Sequence, residues 1–293
     1  IGTQIMLMIT LLGCTTLNLP SQLGLLTSVL LARPQLGVSG TTVLTLAEEV
    51  LEGHAAGLRG SRGAPPQTIA GFIKTERELS LTRWLAKRVT ADGKRLVLLP
   101  DKTLPVTQRV HRAVQATLDA CRPQNAWFKA LGPRALEVRH VARRVMGTGS
   151  LGVERLLVLT HGDETPLLFD VKEVRGSPAD PRPPSAERLV AALHRALPEP
   201  PVGVCAAHLV KTPVVVAPLA PGVEKLSVDE YQREDAEGLC RTLGRLTGDL
   251  HRRGASQSTR WSANHARTLL HLAQHLAGEH ELAFLEFCER VRR

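Results

Sequence analysis

Aromatic residues make up only 3% of this chain of 293 residues. That excludes a core built on large rings and leaves few platforms for stacking unpaired bases. Leu, Val and Ala must fill the interior instead. At 43% hydrophobic and 22% charged, the chain can bury a sizeable core and is not disordered by composition. Cysteine is equally uninformative as scaffolding: Cys14, Cys121, Cys205, Cys240 and Cys288 are odd in number, far apart, and contain no C-x-x-C. A disulfide framework or zinc cluster is therefore not expected, and a reducing, cytoplasmic setting is. Although the net charge is +9, the arginines are scattered and no Lys/Arg block forms a nucleic-acid arm, so no nucleic-acid partner is expected. G-x-S-x-G is absent, which leaves a serine hydrolase unsupported. Long apolar runs are missing too. Ile5–Cys14 resembles a signal-peptide core with a lipoprotein-like end at Cys14. No basic residue precedes it, however, and Thr10, Asn18 and Gln22 interrupt any membrane-length stretch. With Ile1 rather than Met at the start, this stretch reads as an internal strand of a truncated chain, and no membrane partner is expected.

What the sequence does contain is a glycine pattern. Arg143-Arg144-Val145-Met146-Gly147-Thr148-Gly149-Ser150-Leu151-Gly152 holds G-x-G-x-x-G. Glycine serves where backbone must take positive φ or approach a ligand closely, and the freed N–H groups can face phosphate oxygens. Leu156–Leu159 then reads as a strand, His161–Glu164 as a turn and Leu167–Lys172 as a second strand. A dinucleotide-binding loop should open directly into a helix, whereas this one opens into strands. The other fold with this pattern, the protein-kinase small lobe, places a lysine on a strand roughly twenty residues after the loop, as Lys172 is placed here.

The rest of the chain divides into further elements. Ser21–Ala32 reads as a buried helix stopped by Pro34, and Val43–Leu58 as a helix started by Ser39 with Glu48, Glu49 and Glu52 toward solvent. Ile69–Lys87 reads as a helix, Lys94–Pro100 as a strand, and Thr107–Ala120 as a helix capped by Thr107. Ala135–Val145 suits a strand or a short helix. Ser185–Leu197 reads as a helix with Ser185 as its candidate N-cap, Val202–Leu209 and Pro213–Ala217 as paired strands, and Val228–Arg253 as a long amphipathic helix. This order is that of a kinase small lobe leading into its large lobe. It predicts an α/β (α+β), two-lobed architecture: residues 1–130 mainly helical, 131–223 a β-rich nucleotide cradle, and 224–293 a helical segment.

Within the cradle, Gly147, Thr148, Gly149, Ser150, Gly152 and Lys172 are the candidate nucleotide contacts. Glu187, on the following helix, is the candidate partner that orients Lys172, because Glu173 should point to the opposite face of its strand. Asp249–Gly254 holds Asp, His and Arg in an order unlike a catalytic loop and reads as a helix end. His271 and His275 stand four apart, but no carboxylate follows His271, so no metal site is assigned.

The glycine segment and Asp170-Val171-Lys172-Glu173 resemble a bacterial family of uncharacterised proteins, domain of unknown function 2252. The likeness continues through Ala217–Pro221 and Leu246–Gly254, and through Leu25–Ala32, Ser39 and Leu51–Gly53. The family looks related to kinase-like phosphotransferases with permuted segments, in which a G-D-x-H-x-x-N motif and an N-D-F-D-E-like segment precede the glycine loop. This chain has no G-D-x-H-x-x-N, and Thr10–Cys14 stands where the second segment should lie. The resemblance thus implies ATP and Mg²⁺ as cofactors and a small-molecule or protein acceptor. It also implies a degenerate, N-terminally truncated member with weak or absent phosphoryl transfer. The alternative reading is a non-catalytic basic interaction protein whose glycine loop is structural.

Overall fold

The computed structural model describes residues 19–67, 70–71, 74, 80–100, 102–145, 152–176, 182–197, 199, 201–219, 235–254 and 261–291. Apart from the short helical turns Arg33–Leu36 and Arg122–Gln124, the elements among the described residues are, in chain order, α1 (Leu19–Leu31), α2 (Gly40–Leu58), α3 (Leu81–Ala86), β1 (Thr103–Pro105), α4 (Gln108–Cys121), α5 (Ala126–Ala130), β2 (Val138–Arg144), β3 (Arg155–Thr160), β4 (Leu167–Glu173), α6 (Ala186–Ala196), β5 (Cys205–Leu209), β6 (Thr212–Leu219), α7 (Ala236–Gly254) and α8 (Ala263–Val291). The chain is a mixed α/β protein with one antiparallel sheet, and it separates into two compact units. One comprises residues 1–74, 195–197 and 225–293; the other comprises 75–194 and 198–224.

The sheet unit orders its strands β1-β2-β3-β4-β6-β5, every pair antiparallel. β3 is buried along its whole length, as expected of a central strand covered on both faces. One face carries Val141, Leu156, Val158, Phe169, Val171 and Val216, and it packs on Val114, Leu118 and Cys121 of α4. Few as the aromatics are, three gather here: Phe128 stacks on Phe169 at 5.7 Å, and Trp127 meets both edge-on. Gly203, at φ +76°, lets the chain pass Trp127; a Cβ there would sit 2.6 Å from the indole. The opposite face carries Ala142, Leu157, Leu159 and Leu168 under Trp84 and Leu85 of α3.

The helical unit is organised by two glycine pairs. Gly53 and Gly57 on α2 face the Arg241 and Arg245 carbonyls of α7, while Gly244 and Gly248 on α7 face the Val50 and His54 carbonyls of α2. The contacts advance in the same direction along both helices, so the pair runs parallel. A Cβ at any of the four positions would lie 2.0–2.2 Å from a backbone oxygen. Only hydrogen at these positions permits the approach. Leu26, Leu30, Val43, Leu46, Val50, Leu269 and Ala273 complete the core of this unit.

Local expectations fare unevenly. Ser39, Thr107 and Ser185 accept hydrogen bonds from the N–H groups of Thr42, Val110 and Arg188, as helix starts require. Residues 138–144, which suited either strand or helix, form β2. The strand expected at Lys94–Pro100 is not formed: only a single bridge joins Val89 to Leu96, and the sheet edge is taken by Thr103–Pro105 pairing with β2. Within the expected helix Ile69–Lys87, a separate short helix begins at Leu81 behind a Ser80 cap. Glu49 does not face solvent freely, because Arg241 binds its carboxylate through two nitrogens at 2.5 and 2.8 Å.

Candidate functional site

Strand parity builds a charged row on one face of the sheet. Arg155 pairs directly with Lys172 across β3 and β4, and Asp170 lies two residues from Lys172 on the same side. Arg144 is one residue beyond the Arg143–Leu156 pair and therefore shares that side. Arg144 ends β2 and Arg155 opens β3, so the row stands at the hairpin end that leads into the glycine segment.

Two arginines pair with one carboxylate here, and Lys172 feels the charge of both partners of the tighter pair. Arg155 grips Asp170 in bidentate fashion, Nε to Oδ1 at 2.8 Å and Nη2 to Oδ2 at 2.7 Å, with both side chains buried. Arg144 Nη1 reaches Asp170 Oδ1 at only 3.5 Å and has no hydrogen-bond partner of its own, although it is cut off from solvent. Burial holds the Arg144 guanidinium below its usual range, with Asp170 offsetting part of the effect. Lys172 is half-buried. Its ammonium is pushed down by desolvation and then by the Arg155 charge, and pulled back by Asp170. The row carries two positive charges beyond what Asp170 neutralises. A partly desolvated surplus of that kind favours a polyvalent anion.

The opposite face at the same sheet end is balanced instead. Arg143 binds Glu154 through Nε and Nη2 at 3.1 and 2.8 Å, and the Glu154 N–H donates to Glu173 Oε2 at 2.7 Å. Arg175 donates to Glu173 Oε1 at 3.0 Å and to the Gly152 carbonyl. Gly152 itself stands at φ +73°. Gly147, Thr148, Gly149 and Ser150 lie outside the described residues. The structure does not bring Glu187 and Lys172 together as an ion pair. Exposed in the first turn of α6, Glu187 accepts a hydrogen bond from the Ser185 hydroxyl at 2.8 Å. Its carboxyl is held low by its own backbone N–H and then by that hydroxyl. Among the described residues no group of three or more His, Cys, Asp or Glu could hold a metal ion. Asp170, the row's one carboxylate, is already spent on two arginines, so this row fits phosphate oxygens and not Mg²⁺.

Sequence reading singled out Lys172 and missed Arg144, Arg155 and Asp170. The signal was available in the parity of β3 and β4, since Arg155 and Asp170 interrupt otherwise apolar strands at positions on one face.

The helical unit holds a second buried polar group that sequence reading also missed. His251 of α7 makes two contacts, Nε2 to Ser21 Oγ at 2.8 Å and Nδ1 to His54 Nε2 at 2.9 Å. Trp261 packs on the His54 ring at 4.6 Å. Asp249, beside His251 in sequence, turns instead to Arg252 and Arg253 at the end of the helix.

Fold and site together define a mixed α/β protein with a desolvated cationic row on an antiparallel sheet. The chain belongs to the family described as an uncharacterized protein conserved in bacteria, domain of unknown function 2252, whose model matches residues 24–290. No curated protein and no solved structure matches the chain. Among the described residues, no helix is long and apolar enough to cross a membrane.

Proposed function

We propose that this protein is a kinase-like, cytoplasmic nucleotide-binding protein, with phosphoryl transfer from ATP weak or absent. The observation that carries the reading is the surplus of cations in the row Arg144, Arg155 and Lys172. In this reading the Lys172 ammonium and the Arg144 guanidinium hold the nucleotide's phosphate oxygens, Arg144 presenting a buried Nη1 without a hydrogen-bond partner. Arg155 fixes Asp170, and Asp170 in turn fixes Arg144. The element order supports the same reading: a hairpin flanking the glycines, a lysine-bearing strand beside it, a helix, then two more strands. Mg²⁺ would travel with the nucleotide. Phosphoryl transfer demands metal-holding carboxylates and a positioned nucleophile, and the chain's motifs supply neither, which is why binding is favoured over catalysis. The acceptor, a small molecule or a protein, is left open by the chemistry of the row.

A second reading is a non-catalytic interaction protein whose basic surface meets an acidic partner. The engagement of Glu187 with Ser185 instead of Lys172 favours it. Thermal unfolding with ATP, with and without Mg²⁺, separates the two. At about a hundred times its dissociation constant, ATP should stabilise the protein by roughly 2.7 kcal/mol. That gain should vanish in Lys172→Ala and shrink in Arg144→Ala. No stabilisation by ATP under either condition, together with partner binding that weakens steeply with salt, would transfer the assignment to the interaction protein.

A further inference from the structure

Lys172 stands among cations without a carboxylate of its own. Arg155 is its direct cross-strand neighbour, and Asp170, the acid on its side of the sheet, is gripped by Arg155 at 2.7 and 2.8 Å. Glu173, next to it in sequence, faces the other side, where it accepts from Arg175 and the Glu154 N–H. The β6 residue opposite Lys172 is Val215, which carries no charge. Arg144 closes β2 on the same side as Lys172. Beyond it Arg88, 4.3 Å over the Trp84 ring, adds to the burial and the Arg155 charge that lower the Arg144 guanidinium. Desolvation and then the Arg155 charge hold the Lys172 ammonium below its usual range, toward the neutral amine that is the nucleophilic form of lysine. The side chain is nonetheless only half-buried, which leaves it open to solvent.

A nucleophile flanked by guanidinium groups selects its electrophile. An uncharged ester gives the row nothing to hold. An acyl phosphate gives it a phosphate, with the electrophilic carbon one oxygen away from phosphorus. We propose that Lys172 is a site of acylation by small acyl phosphates, drawn to the row by Arg144 and Arg155 and attacked by Lys172 Nζ. The Nζ lone pair adds to the acyl carbon and a C–N bond forms. The C–O bond to phosphate then breaks, its electron pair leaving on the phosphate, and the amine proton departs with it. Guanidinium groups beside the leaving phosphate stabilise the charge that develops there. The amide that remains is uncharged, so the surplus of the row falls from two positive charges to one. Acylation thereby weakens the row's hold on any polyvalent anion. This chemistry needs the row's affinity for phosphate, as the nucleotide reading does, but no nucleotide.

Peptide mass spectrometry of the whole chain after brief exposure to acetyl phosphate at neutral pH tests this, with every other lysine as an internal reference. Lys172 should be acetylated faster than the exposed lysines by at least about tenfold, a small part of what positioning a reactant can supply. With the N-hydroxysuccinimide ester of acetic acid, an uncharged donor of the same group, that lead should disappear. Inorganic phosphate added alongside acetyl phosphate should remove it by competition. Acetylation of Lys172 by acetyl phosphate no faster than that of exposed lysines overturns the proposal. So does an equal lead with both donors, or a lead that saturating phosphate leaves intact, since either makes Lys172 reactive without a bound anion. ATP separates the two readings of the row. Acylation that phosphate suppresses and ATP does not would keep the site for acyl phosphates and remove it from the nucleotide.

Discussion

Acid should unfold the helical unit through His54 and His251 before most carboxylates are protonated. Both rings are buried, His54 3% exposed and His251 8%, and they face each other at 2.9 Å. Desolvation lowers the His54 imidazole to about 4 and the His251 imidazole to about 3, the latter helped by the neighbouring ring. In the unfolded chain each binds its proton near pH 6.5, so between about pH 6.5 and 4 the unfolded state carries two protons the folded state refuses. The sign follows: folded-state pKa values below the unfolded ones give stability that is complete above pH 6.5 and lost as pH falls. By pH 5 each ring costs about 2 kcal/mol, and the two together about 4 kcal/mol. Urea unfolding at pH 8 and pH 5 should show this loss in the wild type. It should be absent from a His54→Gln, His251→Gln double variant, which keeps polar side chains but cannot titrate. Each single variant should remove about half. Equal losses in wild type and double variant would refute the argument, because the remaining histidines and the acids are common to both.

Gly244→Ala should destabilise by about 1–3 kcal/mol, despite the higher helix propensity of alanine, because its Cβ would meet the Val50 carbonyl at 2.0 Å. Gly24→Ala, with nothing within 4 Å of the new atom, should instead stabilise by up to about 1 kcal/mol and so raise the thermal midpoint. A drop for both, or for neither, would show that the glycine contacts do not set the α2–α7 approach. Asp170→Asn keeps the shape but strands a buried Arg155, and should cost about 3–5 kcal/mol in chemical denaturation. A loss under about 1 kcal/mol would mean that water reaches the row and the cations are not desolvated. Ser39→Ala should cost about 1 kcal/mol by removing the cap bond to the Thr42 N–H.

Most of the sheet was legible because its strands announce themselves locally. Leu156–Leu159 and Leu167–Lys172 are short apolar runs around a Gly-Asp turn, and β5 and β6 flank Val210-Lys211 in the same way. Lys94–Pro100 misled because an apolar run does not fix pairing. The chain folds back at Gly93 so that Thr90 and Arg95 share backbone and side-chain bonds, and only Leu96 is buried while Leu98 and Leu99 face out. The parallel packing of α2 on α7 was hidden for a different reason. Its determinants, Gly53, Gly57, Gly244 and Gly248, are far apart in sequence, and glycine within a helix ordinarily reads as a weakness and not as a contact.

The same distinction separates the parts of the site. Lys172 could be found because one strand and a nearby glycine pattern frame it, and Glu187 was assigned to it by analogy with a kinase helix. What the structure brings to Lys172 is Arg155, Asp170 and Arg144, each on a strand and each fixed by register. Register decides which side chains share a face, and a slip by one residue would send Arg155 and Lys172 into the apolar core. The buried bidentate pair therefore does two jobs with one geometry. Joining β3 to β4, it penalises any slipped register that would leave Arg155 without Asp170. By consuming the carboxylate, it leaves Lys172 and Arg144 as cations in excess. A row that neutralised itself would serve architecture alone; this one keeps a surplus at the hairpin end where the glycine segment joins, and that surplus is what an anionic ligand can use.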